Sequence, residues 1–161
     1  MRRHRPCSAV SVLVMLAFLP ALGGQALDVR GHIDRAIRLL LSPDSRDEQC
    51  KDGLVSLLDA ITGAASYARI EGTWPATVAA ARDQASRDEL GGAVGLLNDS
   101  YRAVYGAPFQ KPATVRSVQD AKDHIRGLLS SARSVLNQGR ADEAVRLMLE
   151  AAVMIVTPLE R

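Results

Sequence analysis

Cysteine is nearly absent. Cys7 and Cys50 are the only two in 161 residues, so no disulfide framework holds this fold, and covalent haem, which needs a C-x-x-C-H segment, is excluded. Catalytic signatures are missing too: there is no G-x-S-x-G elbow, no H-E-x-x-H helix and no glycine loop built to cradle phosphate. Gly91, Gly92 and Gly95 look like such a loop only out of context, since no strand precedes them, and close helix packing or a kink accounts for them. No convincing stretch alternates apolar and polar residues with the period of two that a strand requires.

What is present begins with an address. "MRRHRPCSAVSVLVMLAFLPALGGQA" carries Arg2, Arg3 and Arg5, then an apolar run from Ala9 to Leu19, then small residues. That is the layout of a secretory signal peptide. The run is shorter than the ~18 apolar residues of a membrane span, and it is broken by Pro20, Gly23 and Gly24. Residues 1–26 are expected to be cut away after Ala26, with Gly23 the alternative, leaving 27–161 as one domain. Removing three arginines and no acidic residue shifts the formal charge from +2 to −1. The apparent basicity therefore belongs to the export segment, and no basic patch in the remainder points to nucleic acid. Arginine far outnumbers lysine, which suggests a bacterial source, so the expected location is the periplasm or the medium.

The remainder reads as helix after helix. Val29, Ile33, Ile37, Leu40 and Leu41 form a first apolar stripe, closed by "SPDS" at 42–45. A second helix is expected over 47–68, with Cys50 on its apolar stripe as a small core residue, the alternative being a reactive or cross-linking thiol. "EGTWP" then turns the chain, and Pro75 suits the start of a third helix. The stripe Leu90, Val94, Leu97, Tyr101, Val104 faces away from Val78, Ala81 and Ala85, so a break or kink is expected between 86 and 92, with Ser86 and Glu89 as a capping box.

"GAPFQKPAT" at 106–114 is a loop, because glycine and two prolines cannot continue a helix. Ser117 caps the next helix, whose stripe runs from Val118 to Leu136, and Gly139 turns the chain into the last. Between Ala144 and Val156 the only charges are Arg146 and Glu150, spaced as an i, i+4 pair. A helix apolar nearly all round is buried, either at the centre of its own bundle or against a second copy in a homodimer. The fold expected is all-α: a compact up-and-down bundle of five or six helices. "ARSVLNQGRADEAVRLMLEAA" at 132–152 resembles the turn between helices in tetratricopeptide-type repeats, and 36–60 echoes it with a longer turn. The resemblance implies two helical hairpins; the middle of the chain does not repeat.

Two spacings invite a metal reading. Asp28 and His32, and Asp120 and His124, stand four apart on helices. Both pairs fall at or beyond the edge of their helix's apolar stripe, whereas metal sites in bundles are built from inward-pointing side chains such as Glu-x-x-His. Surface charge pairing is the more economical account. No catalytic residue, metal or cofactor is assigned. Every aromatic after the signal segment, Tyr67, Trp74, Tyr101, Tyr105 and Phe109, falls in the middle third. Loops on rigid scaffolds carry binding function, so Tyr105, Phe109 and Lys111 are the candidate partner-binding residues. The function expected is an exported, non-catalytic helical bundle that binds a protein or another envelope component, without membrane insertion after cleavage. The alternative is a metal- or cofactor-carrying bundle.

Overall fold

Apolar residues at helical spacing become helices in the computed structural model, which describes residues 19–43 and 47–158. These are α1 (Leu19–Leu40), α2 (Asp47–Tyr67), α3 (Trp74–Ser86), α4 (Leu90–Tyr105), α5 (Val118–Asn137) and α6 (Ala141–Val156). Among the described residues there are six helices and no strand, so the all-α bundle that the periodicity implied is observed. Residues 1–18, which hold most of the expected signal peptide, lie outside the described residues; its last part is backbone at the start of α1. No helix among the described residues is long and apolar enough to cross a membrane.

Short connections make hairpins of α1 with α2, α3 with α4 and α5 with α6. Helix α2 also packs on α3 and α6, α4 on α6, and α1 on α5. These pairings describe two four-helix groups, α1–α2–α6–α5 and α2–α3–α4–α6, which share the α2–α6 pair. That arrangement explains the composition of α6. It has neighbours on three sides, and Val145, Met148, Leu149 and Val153 are all essentially inaccessible, each contributing about 1.5–3 kcal/mol of burial. The chain's own helices bury it.

Helix α1 approaches α2 over small residues. Gly53, Ser56 and Ala60 are buried on α2, and a Cβ on Gly53 would lie 2.6 Å from Leu40 Cγ. At the other end of the hairpin a Cβ on Gly63 would lie 3.0 Å from Val29 Cγ2. Only glycine permits the approach at Gly53. Between helices, Arg82 grips the Asp59 carboxylate (Nε to Oδ1, 2.8 Å), tying α3 to α2, and Arg133 meets Asp34 at 3.0 Å, tying α5 to α1.

Three local expectations need correction. The break after α3 is real, at 87–89, but Ser86 and Glu89 do not form a capping box. Helix α3 runs through Ser86, whose hydroxyl donates to Asp83 O, and Asp88 turns the chain with φ 64°. Aspartate tolerates that left-handed conformation better than most residues. Second, of the expected α4 stripe Leu97 is fully buried and Tyr101 and Val104 pack against the core, but Leu90 is 44% exposed, and the small Ala93 and Ser100, outside that stripe, are buried as well. Third, Val118 opens α5 in solvent at 61% exposure. Ser117 does cap that helix, accepting from the Asp120 N–H at 3.1 Å while Asp120 Oδ2 accepts from the Ser117 N–H at 2.9 Å.

Candidate binding site

A hollow opens where three helix ends meet. The turn from α2 to α3, the last turn of α4 and the first turns of α6 enclose a cleft of about 480 Å³. Trp74, Val104 and Val145 give it apolar wall, and Glu71, Asp142 and Arg146 bring both signs of charge. Trp74 is half-buried and packs against the core. The expected Arg146–Glu150 pair is not formed. Arg146 turns instead toward α4, donating to Val104 O at 3.4 Å and placing its guanidinium 5.8 Å from the Tyr105 ring centroid.

The candidate residues Tyr105 and Phe109 are brought together beside this cleft. Tyr105 stacks on Tyr101 with centroids 4.3 Å apart, and Phe109 meets Tyr101 edge-on at 5.3 Å. The Tyr105 hydroxyl donates to Arg146 O at 2.9 Å. Burial, and then the Glu150 carboxylate, push its phenol up to about 12; the same causes raise Tyr101. The loop has a course that sequence could not show. Helix α4 ends near the start of α6, whereas Val118 lies by Met154 and Ile155 near its end. Residues 106–117 therefore run back along the bundle as a strap, pinned by Phe109 and by the buried Val115. Gly106, with φ 73°, starts it by closing α4. Lys111 is half-buried in mid-strap.

No family model, no curated protein and no solved structure matches the chain. Its chemistry must be read from its own side chains.

The two His–Asp spacings resolve differently. His32 Nε2 lies 3.4 Å from Asp28 Oδ1, the local surface pair expected. Asp120 instead serves the α5 cap: the Arg116 N–H and then the Ser117 side chain hold its carboxyl below the usual range. His124 looks across to α6, with Nε2 3.7 Å from Glu150 Oε1, beyond hydrogen-bond length. Among the described residues no three His, Cys, Asp or Glu side chains form a group that could hold a metal.

One alignment escaped sequence reasoning. Asp28, His32 and Ser56 stand in line, with His32 Nδ1 3.4 Å from Ser56 Oγ. The order is that of an acid, a base and a nucleophile, but Ser56 sits in mid-α2, where its neighbouring backbone N–H groups are spent on the helix and cannot form an oxyanion hole. Its hydroxyl also reaches the His32 carbonyl at 3.4 Å. The group works as a polar tie between α1 and α2. Cys50, expected in the core, is half-buried and lines hollows at the end of the bundle opposite the cleft.

Proposed function

We propose that this protein is exported, is processed after Ala26, and acts without catalysis as a binding module whose partner, a protein or another envelope component, engages the Trp74–Arg146 cleft and the adjoining strap. The observation that carries the reading is the cleft itself, where the Trp74 ring meets Arg146, Glu71 and Asp142. Aromatic and arginine side chains are favoured anchors at interfaces. Tyr105 ends α4 beside the cleft, and the strap that follows carries Phe109 and Lys111. Tyr105 and Phe109 already spend much of their ring surface on Tyr101, so Lys111 and the cleft rim supply the contacts a partner would meet first.

The reading is tested by placing a photo-crosslinking side chain at the exposed Ala103 on the cleft rim and irradiating the producing cells. A discrete adduct that disappears with Trp74→Ala or Arg146→Glu supports it. No discrete adduct, or one formed equally from Ser134 on the exposed side of α5, refutes it. The mass of the recovered protein tests export independently: the chain should begin at Leu27.

A further inference from the structure

We propose that the Trp74–Arg146 cleft is a socket for an arginine side chain of a partner protein, whose guanidinium meets Glu71 and Asp142. The inference rests on the reading of the cleft as the docking site and adds the chemistry that fills it. Two carboxylates and one guanidinium line the hollow. The guanidinium is already engaged, since Arg146 donates to Val104 O at 3.4 Å and lies 5.8 Å from the centre of the Tyr105 ring. It serves as part of the wall. The carboxylates are not engaged: among the described residues, Glu71 and Asp142 make no hydrogen bond and no ion pair. Of the other arginines at this end, Arg140 is paired with Glu143, and Arg69 and Arg102 are not part of the lining.

The helix ends select the same sign. An anion would look to the N-termini of α3 and α6, where backbone N–H groups are open. Pro75 removes a donor from the first turn of α3, and the first turn of α6 already carries Asp142 and Glu143. The last turn of α4, with Ala103 and Val104 on the cleft, brings the negative end of a helix, which favours a cation. The apolar lining, from Ile70, Trp74 and Val145, suits the aliphatic stem that arginine and lysine share. Arginine is the better fit of the two, because its planar fork binds carboxylates through paired hydrogen bonds and packs on aromatic rings, whereas lysine offers a point charge. A hollow of about 480 Å³ is ample for one such side chain.

Trp74 is the chain's single tryptophan, so its emission reports on this cleft in the purified protein. The probes are three short peptides, capped at both ends, free of aromatic residues and alike except for a central arginine, citrulline or glutamate. The arginine peptide should change the emission saturably, bind at least tenfold tighter than the uncharged citrulline peptide of nearly the same shape, and weaken with added salt. The glutamate peptide should not bind. Glu71→Gln, in an exposed turn, should lower the affinity for the arginine peptide at least threefold, and Glu71→Gln with Asp142→Asn, checked for unchanged helicity, at least tenfold. Equal binding of the citrulline peptide, tighter binding of the glutamate peptide, no saturable change with the arginine peptide, or undiminished affinity in the folded double variant each overturns the proposal. In producing cells the two readings fail differently: no adduct at Ala103 removes the docking site and the socket with it, whereas an adduct that persists in the double variant overturns the arginine socket alone.

Discussion

The same substitution should have opposite effects at two glycines. At Gly127, exposed in mid-α5 with nothing within 4 Å of a built Cβ, alanine restores helix propensity and reduces the freedom of the unfolded chain. The gain is about 0.5–1 kcal/mol. At Gly53 the same propensity gain is opposed by collision, because the new Cβ would lie 2.6 Å from Leu40 Cγ, 2.9 Å from Leu40 Cδ2 and 3.1 Å from Leu39 Cβ. Leu39 Cβ is fixed to the α1 backbone, and Leu40 Cγ can move only if a buried side chain leaves its rotamer, so either Leu40 is forced off its packing or α1 lifts off α2. Overpacking of this kind costs about 1–3 kcal/mol, leaving Gly53→Ala destabilised by up to ~2 kcal/mol after the propensity gain. Urea melts of both variants followed by helical circular dichroism measure the difference directly. Gly63→Ala, whose Cβ meets only the Val29 Cγ2 methyl at 3.0 Å, should fall between them. If Gly53→Ala and Gly127→Ala stabilise alike, the close α1–α2 approach is wrong.

Other perturbations read other parts of the fold. Val153→Asp should abolish cooperative folding, since an unpaired charge in the shared core costs several kcal/mol, comparable to a small domain's whole stability; Ile155→Asp, half-buried near the end of α6, should melt cooperatively. Absorbance titration of the tyrosines should show a component near 12 that is lost in Tyr105→Phe. Because that phenol is raised in the folded state from 10.0 to about 12, its stabilising effect is complete below pH 10 and is lost as pH climbs toward 12. Asp120 has the opposite sign: its carboxyl is lowered from 3.8, so Asp120→Asn should reduce the urea midpoint at neutral pH and make no difference once acid has protonated the native cap.

Helix positions were legible because apolar spacing and stop signals act locally. The limits of α6, the Ser117 cap and the Gly139 turn follow from residues within a few positions of one another. Inner faces were harder to read wherever small residues do the packing. Ala93 and Ser100 on α4, and Gly53 and Ser56 on α2, carry little hydrophobic signal, yet they allow backbones to approach. Partner choice between helices was not legible. Nothing near His124 in sequence points to Glu150, and nothing near Arg146 points to the Tyr105 ring; both depend on which helices become neighbours. For the candidate site, sequence located the aromatic loop but not its course along the bundle, and it passed over Trp74 as part of a turn.

Helix α6 is the element on which everything else is hung: the Trp74–Arg146 cleft lies at its first turns and the hollows beside Ile155 at its last, with both four-helix groups closing on the residues between. Native-state hydrogen exchange tests that directly. Amides from Val145 to Val153 should exchange only through global unfolding, with opening free energies equal to the stability from denaturant melts. Exchange of that stretch through a smaller opening, at lower free energy than the amides of α1, would contradict the shared-core account.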